Sequence, residues 1–340
     1  MTRVGKTLGR YKITKKATSV LFSYQSLKLE QDILGMKFKN PIGLSAGFDK
    51  NAELVNIVDD VGFGFTEVGS ITALKCDGNP IPRLWRLPKS KSLVVHYGLK
   101  NDGSEAVAKR LSKIKSSIPM GVSVAMTNCE ENVNIRNAIE DYIKTCSLVE
   151  PYGDYVTINI SCPNAIGGQP FMLPHNLDYL LDSVDSQKSK KPIFVKLSPD
   201  TKLENLDAVL DVIKKHNVQG IICSNLTKKR NNSAIKDETL PEKGGLSGKA
   251  VSDLSDALIA HVYYREGNRF IIVGSGGVFT AKDAYKKIRL GASLVQMITG
   301  MVFEGPQVIS EINQGLIELL KRDGYTNIKE VIGIDNKYHE

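Results

Sequence analysis

Cys162 stands in the run Asn159-Ile160-Ser161-Cys162-Pro163-Asn164, a thiol followed by proline and flanked by two amides. Such a thiol is often only a small buried hydrophobe. Beside side chains that both donate and accept hydrogen bonds, it is equally a general base or a nucleophile. Neither a histidine nor a second cysteine lies close by in sequence, which argues against protease-like chemistry. Lys196 interrupts the apolar run Ile193-Phe194-Val195-Lys196-Leu197, so its ammonium must reach the end of the element or find a counter-charge. It reads either as a rim lysine or as a cation beside an electron-rich cofactor ring. Lys50, in Gly47-Phe48-Asp49-Lys50, reads on its own as readily as a rim salt bridge. Two glycine-rich turns, Gly244-Gly245-Leu246-Ser247-Gly248 and Gly274-Ser275-Gly276-Gly277-Val278, complete the set. Glycine lets backbone N–H groups approach an anion, and a following helix adds a favourable dipole. Either alone is equally a tight turn; the two together point to a phosphate. The second lacks the G-x-G-x-x-G spacing of a dinucleotide fingerprint.

The elements that must position these residues are short apolar runs alternating with helical stretches. The runs are 42–46, 65–71, 120–126, 155–161, 193–198, 220–225, 270–275 and 294–299. They are continuously apolar rather than alternating, as parallel strands buried on both faces are. Between them, 104–114, 132–149, 203–216, 251–264 and 281–289 read as amphipathic helices. Eight strands alternating with helices predict an α/β chain folded as a (β/α)8 TIM barrel; a doubly wound open sheet is the competing reading. In a barrel, function collects where the strands end, and Lys50, Cys162, Lys196 and both glycine turns fall there. The polar stretch 227–245 after the sixth strand reads as a lid.

Composition narrows the function classes. The chain has 340 residues, 41% hydrophobic and 24% charged, an ordinary globular balance. Residues 1–40 hold nine basic and two acidic side chains, so +7 of the net +8 resides in that leader and the remainder is almost neutral. A basic arm without a basic folded surface does not predict nucleic-acid binding. No stretch is long and apolar enough for a spanning helix or a secretory signal. Five scattered cysteines without a C-x-x-C pair predict neither a disulfide framework nor a metal site. The expectation is a cytoplasmic protein, with peripheral contact to the inner face of a membrane through residues 1–40 left open. Ala17, Val20, Leu21, Tyr24 and Leu27 share one helical face beside Lys12, Lys15 and Lys16. That pattern reads either as an interfacial helix or as a helix covering the barrel bottom. The expected organisation is a basic extension over 1–33, a barrel over 34–325 and a tail over 326–340.

Three longer motifs make the chain recognisable. Asn40-Pro41-Ile42-Gly43-Leu44-Ser45-Ala46-Gly47-Phe48-Asp49-Lys50, Gly62-Phe63-Gly64-Phe65-Thr66-Glu67-Val68-Gly69-Ser70 and Gly78-Asn79-Pro80-Ile81-Pro82-Arg83-Leu84 resemble dihydroorotate dehydrogenases. So do 159–164, 195–200, 244–248, 274–278 and 291–296, and the resemblance runs from about residue 34 to about residue 315. The first half looks most like the quinone-linked class 2 branch. The resemblance implies an FMN-dependent enzyme of de novo pyrimidine synthesis that oxidises dihydroorotate to orotate. It implies an FMN phosphate against Gly248, Gly277 and Thr299, with Ala46, Gly47 and Ser70 near the ring and ribityl chain. Ser123, Ser224 and Ile298 join the cofactor positions, with Lys50 and Asn159 shared between cofactor and substrate. Lys196 would stabilise negative charge on the reduced flavin. Lys50, Asn159, Asn164, Asn225 and the turn Tyr97-Gly98-Leu99 would hold the pyrimidine. Cys162 falls at the catalytic base, taking the C5 proton while the C6 hydride goes to the flavin. A quinone, fumarate or a partner iron–sulfur subunit would then accept the electrons, and homo-oligomerisation is left open.

The chain departs from the family pattern at several positions. Class 2 members usually carry serine as base, whereas Cys162 is the class 1 choice. Val95 replaces an asparagine, with His96 next door as a substitute polar group, and Leu226 replaces a hydroxyl residue. Ser123 stands where an asparagine is usual and Ile298 where a tyrosine is common. Loss of polar substrate contacts leaves a second expectation open, a flavin oxidoreductase for a related cyclic amide lacking the carboxylate. A non-catalytic flavin-binding or membrane-adaptor protein is the third, opposed by the presence of Lys50, Asn159, Cys162 and Asn164.

Overall fold

The computed structural model describes residues 2–336; Met1 and residues 337–340, the end of the expected tail, lie outside the described residues. Eight short parallel strands close into a barrel. They are β1 (Ile42–Leu44), β2 (Phe65–Ile71), β3 (Met120–Val124), β4 (Tyr155–Asn159), β5 (Ile193–Leu197), β6 (Gly220–Cys223), β7 (Ile271–Ser275) and β8 (Leu294–Met297). β8 pairs with β1, Val295 opposite Ile42, which completes the ring. Each strand lies on one of the eight apolar runs. Most end one or two residues early, and the residues that leave the ladder after β1, β6 and β8 line the site.

The lower barrel is filled by aromatic rings set against glycines. Phe65, Tyr155 and Phe194 are fully or almost fully buried. Each sits in register beside a glycine on the next strand: Gly43 beside Phe65, Gly121 beside Tyr155, Gly220 beside Phe194. A Cβ at any of these glycines would overlap the neighbouring ring, so small and large residues must alternate around the axis. Burial of each phenylalanine contributes about 1.5–3 kcal/mol. Side chains alternate inward along a strand, so the layer above Phe65, Tyr155 and Phe194 is made by Glu67, Thr157 and Lys196.

The outer helices follow their local signals. Ala281–Arg289 starts at a capping box between Thr280 and Asp283. Ile135–Val149 is capped by the Asn134 side chain, which accepts from the N–H groups of Arg136 and Asn137. Pro174–Ser186 and Val308–Asp323 are two further helices that the apolar periodicity did not single out. A separate antiparallel sheet of Leu84–Leu87, Ser92–Val95 and Gly245–Gly248 also went unanticipated. The segment read as a glycine-rich turn at 244–248 is therefore an edge strand, paired with Ser92–Val95 from Gly245↔Val95 to Gly248↔Ser92.

The leader also differs from expectation. Two helices, Thr2–Leu8 and Lys12–Phe22, precede the barrel, and the second ends before Tyr24 and Leu27. Its buried residue is Thr18, while Ile13, Val20 and Leu21 are 85%, 77% and 71% exposed. The apolar face exists but points to solvent. Lys6 pairs with Glu53 at 2.5 Å and Lys15 with Asp60 at 3.4 Å, which ties both helices beside β1 and its following turn. The barrel bottom is closed instead by the hairpin of Gln31–Ile33 and Met36–Phe38, which crosses the expected boundary at residue 34. Phe38 meets Phe65 edge-on at 5.4 Å between ring centres. Among the described residues no helix is long and apolar enough to cross a membrane.

Candidate active site

Two adjoining cavities open at the C-terminal ends of the strands, a cleft of about 470 Å3 and a smaller one of about 90 Å3. They share Ala46, Lys196, Asn225, Ile298 and Thr299 in their walls. The larger also takes Gly47, Lys50, Ser70 and the turn Tyr97-Gly98-Leu99. Asn159, Cys162 and Asn164 complete its polar wall. The smaller takes Ser224, Gly248 and Gly277. Of the residues named from sequence, Ser123 alone lies behind the wall: it is fully buried and its hydroxyl sits 2.8 Å from that of Ser70.

A chain of amides is fixed across the barrel mouth. Asn159 Nδ2 donates to Ser70 Oγ at 2.8 Å, and its Oδ1 accepts from Asn225 Nδ2 at 3.2 Å. The Tyr142 hydroxyl donates to the Asn159 carbonyl at 2.8 Å from the helix outside the barrel. Asn164 Nδ2 donates to the Val95 carbonyl at 2.8 Å, while its buried Oδ1 has no protein partner. A buried amide oxygen without a donor costs free energy unless a ligand supplies one.

Lys50 follows Asp49, whose carboxylate accepts from the N–H groups of Glu53 and Leu54 at 2.8 Å each and so locks the turn after β1. The Lys50 ammonium lies 4.7 Å from the centre of the Tyr97 ring. No carboxylate among the described residues pairs with it, which excludes the rim salt bridge. Desolvation pulls it down to about 8, opposed by Cys162 and assisted by Lys100. Cys162 opens onto the same cleft. Burial pushes its thiol above the ordinary 9.0; the Asn164 N–H and the cations Lys50, Lys228 and Lys196 act in the opposite direction. Lys196 reaches Ser45 Oγ at 3.4 Å, and burial lowers its basicity while Glu67 and Cys162 raise it.

At the other end, Ser247 and Thr299 hydroxyls meet at 2.8 Å between Gly248 and Gly277. Gly248 has φ +80°, and a Cβ there would collide with the Lys91 carbonyl; Gly277, at φ +75°, would strike Ser252. Both therefore present bare backbone to the small cavity. Gly47, at φ +111°, leaves open cleft where a side chain would stand. The stretch 227–245 is tethered rather than free: the Lys228 N–H donates to Asp200 Oδ2 at 2.6 Å and Arg230 Nη2 to the Gly244 carbonyl at 2.7 Å.

Val95 lines the cleft, but His96 does not stand in for the missing polar group. Successive residues of a strand point to opposite sides, and His96 faces away, 3.2 Å from Asn79 Nδ2. Leu226 lines both cavities. The apolar side of the cleft, Phe48, Leu54, Leu84, Leu93 and Val302, was not singled out from sequence, nor was Thr2 at its edge. Those residues come from five separate segments, and only the fold brings them together. Among the described residues no cluster of metal-ligating side chains occurs, and all five cysteines are free.

Residues 28–320 match the family model described as dihydroorotate dehydrogenase. A relative from Trichodesmium erythraeum, named dihydroorotate dehydrogenase (quinone), is 35% identical over 93% of this chain and 86% of its own length. One of the same name from Natronomonas pharaonis is 37% identical over 91% and 86%. The crystal structure of ligand-free DHODH from Eimeria tenella superposes with a TM-score of 0.86 at 29% identity, over 98% of this chain and 99% of that one. The ferulenol complex of the Eimeria tenella protein gives 0.84 at the same identity, over 95% and 94%.

Proposed function

The chain belongs to the dihydroorotate dehydrogenase family, flavin-dependent oxidoreductases that oxidise dihydroorotate in pyrimidine biosynthesis; from that premise we propose that it uses FMN, takes the C5 proton with Cys162 and passes electrons to a quinone. The phosphate of FMN suits the small cavity, whose bare backbone at Gly248 and Gly277 and hydroxyls of Ser247 and Thr299 fit one such group, with the ring left to the adjoining cleft. A flavin held there would supply the acceptor for the C6 hydride of dihydroorotate and a two-electron relay to the oxidant.

The protein's own part is positioning and proton removal. The observation that carries the reading is Lys50, an ammonium without an anionic partner in the same cleft as a thiol and an unpaired amide oxygen. Lys50 binds the substrate carboxylate. Asn164 Oδ1 accepts from a ring N–H, and Asn159 and Asn225 orient the amide edge of the ring. The thiolate of Cys162 takes the proton from C5. A substrate lacking the carboxylate would leave Lys50 desolvated and uncompensated, which favours dihydroorotate over a neutral dihydropyrimidine.

The relatives' names and the apolar side of the cleft support a quinone. Thr2 is also in the cleft lining, and the second helix turns Ile13, Val20 and Leu21 outward among Arg10, Lys12 and Lys16. Such a surface suits the interface of an anionic membrane, from which an apolar acceptor would enter. Steady-state oxidation of dihydroorotate with a short-chain ubiquinone, fumarate and a dye tests the assignment. Turnover with quinone at least comparable to the dye supports it; reduction of the flavin followed by turnover with fumarate alone overturns the acceptor. A flavin not bleached anaerobically by dihydroorotate overturns the site.

The phosphate corner has its own test. Gly248→Ala places a Cβ against the Lys91 carbonyl and holds alanine at positive φ, a strain on the order of 1–3 kcal/mol. We expect folded protein with flavin retention reduced at least about tenfold, read from the ratio of visible to ultraviolet absorbance after gel filtration. Wild-type flavin content in that variant would remove Gly248 from the phosphate site.

A further inference from the structure

Glu67 is a carboxylate at the centre of the barrel that neither proton removal nor substrate binding uses. It projects inward from β2, is fully buried, and lies one layer above the aromatic floor. Three donors converge on its Oε2: Thr157 Oγ1 at 3.0 Å, Gln296 Nε2 at 3.1 Å and the Tyr155 hydroxyl at 3.3 Å. They come from β4 and β8, so the carboxylate is braced from both sides. Its Oε1 is buried with no protein hydrogen-bond donor. Lys196 enters the same layer from β5, with Ser45 Oγ at 3.4 Å as its hydrogen-bond partner. A carboxyl braced on one oxygen and a buried lysine with spare N–H groups thus face one axis in the same layer, with no direct ion pair between them, so any interaction acts through the buried interior rather than through contact.

We propose that Glu67 is a positioning residue for the redox step, the buried counter-charge that helps keep Lys196 an ammonium where it lines the flavin site. The inference rests on the reading of Lys196 as the cation beside the flavin ring. Burial lowers the basicity of Lys196 and the Glu67 carboxylate acts most strongly against that loss. The other titratable groups facing this pair are Tyr155 on β4 and Cys162 above it. The remaining strands present Ser45, Ser123, Ile222, Ser275 and Gln296, which do not titrate. With Glu67 in place, Lys196 keeps its charge to higher pH than it would without that carboxylate. Without it, Lys196 is neutral at alkaline pH in the oxidised protein and binds a proton as negative charge arrives. Reduction then consumes one more proton, and the flavin potential falls more steeply with pH.

The test uses the full-length flavin-bound protein as wild type, Glu67→Gln, Lys196→Met and the double variant. Glutamine keeps an oxygen for the three donors and removes the charge. Flavin midpoint potential is followed from pH 6 to 10, with the rate of flavin reduction by saturating dihydroorotate. The expected result is a potential–pH curve for Glu67→Gln that matches the wild-type slope near pH 6.5 and steepens above it. Its reduction rate should fall behind wild type by roughly tenfold more at pH 9 than at pH 6.5. The two substitutions should not add, since both act on one charge. If Lys196→Met leaves the potential unchanged, the reading of Lys196 fails. If Lys196→Met moves the potential and Glu67→Gln only shifts the curve in parallel, the inference fails. Should Glu67→Gln not fold, the double variant decides: it carries no unpaired charge, so recovery of folded flavoprotein supports the pair and its absence overturns it.

Discussion

Replacing Cys162 with alanine is expected to slow flavin reduction by dihydroorotate roughly 10²–10⁴-fold, the usual contribution of a positioned general base, with flavin content unchanged. The separation of effects follows from placement. Cys162 lines the large cleft, whereas the phosphate corner is built by Gly248, Gly277, Ser247 and Thr299 in the smaller one. The working form is the thiolate, and burial holds the thiol above 9.0 despite the Asn164 N–H and the cations around it. A group that acts deprotonated and whose pKa lies above 9.0 is a small fraction of the protein at pH 7. The limiting reduction rate of the wild type should therefore climb by nearly tenfold per pH step from 7 to 9 without levelling. Cys162→Ser supplies a second comparison: its hydroxyl ionises far above that range, so the variant should be slower than wild type at every pH and keep rising without levelling through pH 10, while the Cys162→Ala profile should lose the slope. Stopped-flow traces of the three proteins across pH 6–10 decide the matter. An alanine variant within about threefold of wild type would exclude Cys162 as base.

What was legible in the sequence was whatever depends on a residue and its near neighbours. The eight strands could be read because a parallel strand buried on both faces must be continuously apolar. The residues at their ends were then candidates by position alone, and Lys50, Asn159, Cys162, Asn164 and Lys196 do meet in one cleft. What was not legible depends on partners far away in the chain. The sheet of Leu84–Leu87, Ser92–Val95 and Gly245–Gly248 joins segments about 150 residues apart, and its strands of four residues are too short for a periodicity to show. Because 92–95 is a strand, Val95 faces the cleft and His96 cannot replace it. The apolar face of Lys12–Phe22 was visible, but its direction was set elsewhere, by Lys15 reaching Asp60 and by Thr18 turning inward. Glu67 stood in a motif used to assign the family, and nothing local marks it as buried. Its brace comes from Tyr155, Thr157 and Gln296, 88 to 229 residues away.

Lys50→Met should raise the dissociation constant for orotate roughly 10²–10³-fold, the cost of removing one member of a buried charge pair, and should also change how binding depends on pH. In the free protein desolvation holds the Lys50 ammonium at about 8. Its charge is needed to bind a carboxylate, so the contribution is complete below that value and disappears as pH rises through it. Orotate affinity in the wild type should thus be level from pH 6 to 7.5 and weaken towards tenfold per pH step above 8. In Lys50→Met it should be weak and level throughout. The two ionisations also combine in kcat/KM, which requires Lys50 protonated and Cys162 deprotonated at once. Because the lysine titrates below the thiol, that combination is a minority species at every pH. The acidic limb of the profile then bends near 8 on account of Lys50, and the fall at higher pH is set by Cys162, the reverse of the usual assignment. The two groups influence one another across the cleft, so the limbs belong to the pair rather than to either residue. Removing Lys50 tells the assignments apart: the bend near 8 should vanish and kcat/KM, though low, should keep rising past pH 9. A bend that survives at 8 in Lys50→Met would belong to some other group, and the cation that the cleft offers to a carboxylate would have to be sought elsewhere.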